Sequence, residues 1–184
     1  MPTTAPPIEG ASGEAEVFES PDGFRVTLPS QWVTLDVSAD DVDSALGDVY
    51  DTLNPETVEA MRNAFASGIE FSLYAIDYTG DPNVNVLVVP RSPLDTVENL
   101  QKLLPTQLAE MFDATVLSAE AVEYGGLEGV EIVYEAEFPA GDAEGHQYYL
   151  LDEEVVFVFT FTTFDPESDR AEFQRVMESF QTTT

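Results

Sequence analysis

The residues of this sequence that could carry out chemistry are a single histidine, His146, and a large number of carboxylates. A histidine beside a carboxylate can act as a general base, and a neighbouring serine or threonine could then serve as a nucleophile. The chain has no cysteine, so it has no thiolate nucleophile, no thiolate metal ligand and no disulfide. It also lacks the Gly-x-Ser-x-Gly, Gly-x-Gly-x-x-Gly and P-loop motifs. The sequence therefore offers few of the residues that the common catalytic arrangements need.

His146 lies at the start of a predicted strand, where a lone histidine is typical of cross-strand packing. A zinc site would ordinarily need at least one further nitrogen or sulfur ligand. We therefore predict a protein that is not an enzyme and that has no catalytic, cofactor-binding or metal-binding residues.

One set of polar residues has the spacing that opens an EF-hand calcium loop, namely Asp81, Asn83 and Asn85. Val86 stands where that loop requires glycine, and Ser92 stands where it requires a bidentate glutamate. The match fails, and the sequence instead predicts a turn between two strands.

Two further features have a structural interpretation. Glu135 and Glu137 could form the carboxylate pair of a glycosidase, but they lie on one face of a predicted strand, which indicates a solvated surface. Trp32, the only tryptophan, follows a predicted strand end and is typical of a residue that closes the rim of a core.

The net charge is the most unusual property of the chain. It has 36 acidic and 6 basic residues, a formal charge of -30, and Lys102 is its only lysine. Such a surface repels nucleic acid and anionic membranes. The acidity indicates either a surface adapted to high salt or a docking face for a basic partner. Because the acids are spread over every segment, the sequence favours the salt-adapted surface and a halophilic source.

The clearest structural pattern runs from Glu154 to Phe164 and predicts a central strand covered on both faces. Its odd positions from 155 to 161 are large and apolar, and its even positions are β-branched. The next segment predicts a helix with Asp165 as N-cap and Pro166 at its first position. Its apolar residues fall on one stripe that faces the strand: Phe173, Val176, Met177 and Phe180.

The rest of the chain predicts helices at residues 38–53, 55–68 and 92–111, the last kinked or divided at Pro105. Ser38 and Ser92 are the expected caps, and Leu100, Leu104, Leu108 and Met111 form the stripe of the third helix. Strands are predicted at residues 16–18, 24–28, 69–77, 84–89, 115–123, 127–138 and 146–151. The short connections between the late strands require antiparallel pairing.

The composition divides the chain into three parts. Residues 1–15 are rich in Pro, Gly and Thr and predict a flexible linker. Residues 16–181 predict a single domain, and residues 182–184 a disordered tail. No apolar run approaches the ~20 residues that span a bilayer as a helix.

The segment from Asp22 to Trp32, a mid-chain Ser-Pro helix and a closing hairpin that ends at Phe164-Asp165-Pro166 together resemble PsbP-like domains. More narrowly, they are similar to the PsbP-like lipoproteins of actinobacterial envelopes. Family members usually have glycine before the tryptophan, where this chain has Gln31. The resemblance implies an α+β fold, an α/β/α sandwich with a central, mainly antiparallel sheet, and a role in binding or assembly without catalytic residues.

We therefore predict a non-enzymatic binding or accessory domain at the cell envelope, monomeric, and extracellular or anchored there through a lipidated N-terminus. Its partner is a protein that the sequence does not identify. The alternative is a carrier of a small apolar ligand or lipid, with a pocket between the sheet and the helices around Val42 to Phe65. No cofactor is expected.

Overall fold

The computed structural model describes residues 15–38, 42–47, 53, 55–138 and 141–183. The helices in these ranges are α1 (Val42–Leu46), α2 (Pro55–Ala66), α3 (Val97–Phe112) and α4 (Pro166–Glu178). The strands are β1 (Glu16–Ser20), β2 (Phe24–Leu28), β3 (Trp32–Thr34), β4 (Leu73–Asp77), β5 (Asn83–Pro90), β6 (Thr115–Tyr124), β7 (Leu127–Phe138), β8 (Gly141–Leu151), β9 (Val155–Thr163) and β10 (Gln181–Thr182).

The main sheet has seven strands in the order β3-β4-β5-β9-β8-β7-β6, so β9 lies at its centre. Phe159 of β9 lies opposite Val86 of β5 and Tyr148 of β8. Every neighbouring pair is antiparallel. The predicted central strand and the antiparallel pairing of the late strands are therefore confirmed, and so is the α+β class.

The first face of the sheet is covered by α4 and by a small sheet in the order β1-β2-β10. The predicted stripe of α4 is buried there, since Phe173, Val176, Met177 and Phe180 are at most 1% exposed. Phe159 is fully buried and contacts the rings of Phe24 and Phe180. This apolar contact fixes α4 over the centre of the sheet.

The second face carries the other three helices. Leu100, Leu104 and Leu108 of α3 pack on the apolar side of β7, which presents Val130, Ile132, Tyr134 and Ala136. The helices α1 and α2 pack over β4 through a separate apolar cluster. Helices thus cover both faces of an antiparallel sheet, as in the predicted α/β/α sandwich.

The start of α3 differs from the prediction. The helix begins at Val97, and its N-cap is Thr96, whose hydroxyl accepts a hydrogen bond from the Asn99 amide. Ser92 instead lies in a turn closed by Asp95, whose carboxylate accepts from the Ser92 amide at 2.6 Å. The predicted cap at Ser92 is wrong because the turn takes up the groups that would have capped a helix there.

Two further predictions about α3 are affected. Pro105 lies inside the helix, which runs from Val97 to Phe112, so a division there is wrong, and the kink stays a prediction. Met111 is 70% exposed, although its spacing places it on the buried stripe. The stripe ends at Leu108, one turn before the helix does.

The N-terminal boundary of β4 also differs, since the strand starts at Leu73 and residues 69–72 are not in it. Ser38 does not cap a helix in the described residues. Its hydroxyl donates to Asp36 Oδ1 at 2.6 Å, and α1 starts at Val42. Asp40, Asp41 and Val49, which the prediction placed in the same helix, lie outside the described residues.

The β6–β7 hairpin forms as predicted, with Tyr124 opposite Leu127 across Gly125 and Gly126. Both glycines have positive φ, as a two-residue hairpin turn requires. A Cβ on Gly125 would also lie 2.7 Å from the ring of Phe180. Gly125 therefore packs against Phe180, which follows α4, closely enough to exclude a side chain at that position.

Candidate functional site

His146 lies on β8, on the face of the sheet that α4 covers. Its neighbours across the strands are Val133 of β7 and Phe161 of β9. The residue is 5% exposed, and its ring meets the ring of Phe173 edge-on at a centroid distance of 5.5 Å. The imidazole has the packing contacts that its position in the sequence predicts.

The sequence did not predict that both ring nitrogens of His146 meet carboxylates. Nδ1 lies 3.1 Å from Glu131 Oε1, and Nε2 lies 2.7 Å from Glu144 Oε1. A neutral imidazole has one N–H and one lone pair, so only the imidazolium form donates at both nitrogens. Each ring nitrogen of His146 therefore lies within hydrogen-bonding distance of an acid.

Arg170 of α4 closes this arrangement from the solvent side. Its Nε donates to Glu144 Oε1 at 2.7 Å, and its Nη2 donates to Glu144 Oε2. This arginine lowers the pKa of Glu144, against a smaller effect of burial in the opposite direction. Glu131, Glu144, His146 and Arg170 are called the His146 cluster below.

Glu131 is held in its charged form by a second set of donors. Burial acts to raise the pKa of Glu131, but hydrogen bonds from His146 and Tyr148 lower it, and the net change is downward. Burial also raises the pKa of Tyr148, so its phenol stays protonated and donates. Every polar group of the His146 cluster thus has a partner of complementary charge or hydrogen-bonding type.

The geometry of the His146 cluster suits a structural role better than a catalytic one. A general base needs a free lone pair within reach of a substrate proton, and here both nitrogens of His146 face carboxylates. Glu144 accepts from His146 and Arg170 with both of its oxygens. The network joins α4 to β7 and β8, which is a structural function.

An open groove of about 370 Å³ lies beside the cluster, between the end of α3 and the start of α4. Carboxylates dominate its lining: Asp113, Glu135, Glu137, Asp142 and Glu144, with Thr115, Ala136, Ala143 and Pro166. Glu135 and Glu137 are exposed, as the solvated-surface interpretation predicts. Among the described residues, no group of three or more His, Asp or Glu side chains is arranged to hold a metal ion.

A second group of acids surrounds Asp81. Both carboxylate oxygens of Asp81 accept from the backbone amide of Phe164, at 3.2 and 3.1 Å. Burial raises the pKa of Asp81 to about 6, with smaller contributions from nearby aspartates. Asp81 lies in the β4–β5 connection, where a turn was predicted, and its carboxylate also ties that connection to the segment after β9.

The other two residues of the EF-hand pattern do not lie in the β4–β5 connection. Asn83 and Asn85 lie within β5, opposite Thr162 and Thr160 of β9. Their side chains belong to a paired strand and not to a loop that could wrap around a cation. The structure therefore agrees with the failed EF-hand match.

No protein-family model matches the sequence, and a search of curated proteins finds no relative. Similarity appears among solved structures. The solution structure of cyanobacterial PsbP (CyanoP) from Synechocystis sp. PCC 6803 aligns with a TM-score of 0.61 and 13% identity, over 98% of both chains. The chain has a PsbP-like fold.

A second PsbP-like match is LpqN, described as involved in cell envelope biogenesis of Mycobacterium tuberculosis. Its crystal structure aligns with a TM-score of 0.56 and 11% identity, over 96% of this chain and 88% of LpqN. Identities this low establish the shared fold and no more.

The motif that first indicated the PsbP-like fold has a clear place in it. Trp32 is 4% exposed, packs edge-on against Phe161, and donates its indole N–H to Glu172 of α4. Gln31, which replaces the glycine usual in the family, donates to the other oxygen of Glu172 at 2.9 Å. Trp32 closes the rim of the core, as predicted.

The space proposed for a carrier pocket is occupied by the protein itself. Between the sheet and the helices α1 and α2, buried side chains pack against one another: Leu35, Leu46, Leu53, Val58, Met61, Tyr74 and Ile76. The rings of Phe65, Phe71 and Tyr74 extend this contact. The described side chains in this region pack into an apolar core.

Proposed function

We propose that this chain is a non-enzymatic binding or accessory domain that acts at the cell envelope. The observation that carries the proposal is the match of the whole PsbP-like fold, over 96% of this chain, to a mycobacterial protein involved in cell envelope biogenesis. No helix in the described part of the chain is both long and apolar enough to cross a membrane. An extracellular or envelope location is compatible with that finding.

The chemistry of the His146 cluster supports a binding role over a catalytic one. Both nitrogens of the one histidine contact carboxylates, and the arginine beside it donates to Glu144. Polar residues that satisfy one another in this way rigidify a scaffold. A rigid domain whose histidine and neighbouring arginine are engaged in internal contacts suits the recognition of a partner.

The composition supports two further parts of the proposal. Residues 1–15 serve as a tether between the domain and a lipidated anchor, since they offer little to bury. The acidic residues adapt the surface to salt, because they are distributed over every segment. At a net charge of -30, mutual repulsion favours a monomer.

The proposal is tested by photo-crosslinking in the cells that produce the protein. A benzophenone amino acid is placed at Glu120 on β6, at Glu135 in the acidic groove, or at Glu59 on α2, all three exposed. We expect one envelope protein to be crosslinked from β6 or the groove, and not from Glu59. The purified protein is examined in parallel by native mass spectrometry. Bound lipid together with no protein crosslink at any position would overturn the proposal in favour of the carrier.

A further inference from the structure

The strand β6 ends the seven-stranded sheet, and within the described ranges no strand pairs with its outer side. Its register on β7 indicates which backbone groups face outward. In a hairpin with a two-residue turn, the residues flanking the turn form a hydrogen-bonded pair, and alternate residues then direct their N–H and C=O away from the partner. Because Tyr124 and Leu127 flank the turn, the outward residues of β6 are Glu123, Ala121 and Ala119.

An independent contact agrees with this assignment. The side chain of Gln101 on α3 donates to the backbone carbonyl of Ala119 at 3.3 Å, so that carbonyl faces away from β7. In the part of the chain that the structure describes, no group contacts the outward N–H and C=O of Ala121 or Glu123 through a hydrogen bond. The open edge of β6, defined as Glu120–Tyr124, thus presents unpaired main-chain donors and acceptors at Ala121 and Glu123.

The open edge carries two charged side chains, Glu120 and Glu123, but it lacks several other devices that usually protect an edge strand. The open edge contains no proline and no lysine, and the bulge of β6 lies between Val116 and Ser118, outside it. Glu120, Ala121 and Glu123 are exposed. A strand could therefore pair with Ala121 and Glu123 without breaking a hydrogen bond of any described residue.

The charges beside the edge determine which partner fits it. Glu120 lies directly opposite Glu131, and Glu123 lies directly opposite Glu128. Like charges that face each other across two strands are destabilising, and an added strand with cationic side chains would relieve that repulsion. A second copy of this chain would add to the repulsion instead, because it brings its own acidic edge and a charge of -30.

We infer that the open edge of β6 binds an extended segment of a cationic protein by strand addition. Main-chain hydrogen bonds to Ala121 and Glu123 provide affinity, and lysine or arginine side chains on the added strand face the acids of the β6–β7 hairpin. This inference rests on the proposed binding function, for which it specifies the surface and the chemistry of the partner.

The test uses the full chain and three synthetic octapeptides, measured by fluorescence polarisation at physiological salt. The first alternates lysine and valine, the second is the same peptide N-methylated at alternate residues, and the third alternates glutamate and valine. N-methylation removes backbone donors and keeps the charge. We expect the first peptide to bind, the second to bind at least about tenfold more weakly, and the third not to bind.

Two variants locate the site. Ala121→Pro removes one outward N–H, a change that edge strands tolerate, and should weaken the first peptide about tenfold without changing the melting temperature. Ala121→Thr keeps that N–H and should bind as the parent chain does. If Ala121→Pro fails to fold, the N-methylated peptide still decides the question on the unaltered chain.

Three results would overturn the inference. Equal binding of the first two peptides would show attraction by charge alone, and equal binding to the parent chain and a folded Ala121→Pro would place the contact elsewhere. Dimers that Ala121→Pro abolishes, seen by light scattering, would show that a second copy occupies the edge. None of these results concerns the envelope location. The proposed function is tested separately, by crosslinking in cells.

Discussion

The indole Nε1 of Trp32 donates a hydrogen bond to Oε1 of Glu172 at 2.8 Å, joining edge strand β3 to α4. The same carboxylate accepts from the side chain of Gln31 with its other oxygen. Two consecutive residues thus hold one glutamate that lies 140 positions away in the chain. The contact fixes the turn between β2 and β3 against the last helix of the domain.

Replacing Trp32 by phenylalanine should lower the free energy of unfolding by about 1–2 kcal/mol, because the ring is partly retained and the buried hydrogen bond is lost. Urea denaturation measures the change. Glu167→Gln, a charge change at an exposed position of the same helix, is the matched control and should alter stability by less than about 0.5 kcal/mol. A loss in Trp32→Phe no larger than that of the control would show that the hydrogen bond contributes nothing.

Phe159→Ala should destabilise the domain by about 3–5 kcal/mol, because the ring is fully buried between the central strand and the rings of Phe24 and Phe180. Thr160→Ala, the next residue on the same strand and half-buried, is the control. Chemical denaturation of both variants gives the comparison. Equal costs would mean that the core does not lie on the face assigned to it.

His146→Gln should cost about 3 kcal/mol at neutral pH, since one amide cannot reach both Glu131 and Glu144 as the two ring nitrogens do, and Glu144 is buried. The difference from the parent chain should shrink in acid. Both glutamates have a folded pKa below the usual 4.5, so their contribution to stability is complete above pH 4.5 and is lost as the pH falls through the folded value.

The measurement for His146→Gln is urea denaturation of the variant and the parent chain from about pH 7 down to about pH 3. A difference in free energy that stays constant over this range would contradict the ion-pair interpretation. It would leave only a packing role for the imidazole.

Asp81→Asn should stabilise the domain by about 1 kcal/mol at pH 8 and have no effect at pH 3. The figure at pH 8 includes a reduction, because solvent screens the charge of this half-buried group. The folded pKa is raised from 3.8 to about 6. The corresponding stability is fully present below pH 3.8 and is lost as the pH rises through about 6. Asparagine remains uncharged and can still accept from Phe164. Thermal melts of the variant and the parent chain at both pH values measure the difference in stability. A variant that is less stable than the parent chain at pH 8 would contradict the raised pKa of Asp81.

The melting temperature should rise when sodium chloride is increased from about 0.1 M to about 1 M. The Debye length falls from about 10 Å to about 3 Å over that interval, which screens the self-repulsion of a chain with a charge of -30. A matched titration with a neutral osmolyte controls for general solvent effects. A melting temperature that is flat or falls with salt would show that the acids are compensated within the fold.

The sequence was sufficient for the features that depend on periodicity. Alternation in β9 and the stripe of Phe173, Val176, Met177 and Phe180 were visible because burial of one face dictates every second residue of a strand and every third or fourth of a helix. The hairpin at Gly125 and Gly126 followed from turn chemistry. Boundaries were less accurate, as at Ser92, where capping groups suit a turn as well as they suit a helix.

The His146 cluster could not be predicted, because its members come from three separate elements. The pairing of β7 with β8 places Glu131 beside Tyr148, and the packing of α4 brings Arg170 to Glu144. One local signal was present, since Glu144 and His146 are two apart and must share a strand face. The register that adds Glu131 depends on contacts distant in sequence, and no single segment encodes it.

The location of the domain can be measured directly through its only lysine. Lys102 lies on α3 and its side chain is 66% exposed, so an amine-reactive biotin that cannot cross membranes should modify it. Spheroplasts of the producing cells are labelled intact or after lysis, and the Lys102 peptide is quantified by mass spectrometry, with Lys102→Arg as the control. The account predicts equal labelling of Lys102 in intact and lysed spheroplasts. Labelling that appears only after lysis would place the domain inside the cell and contradict its assignment to the envelope.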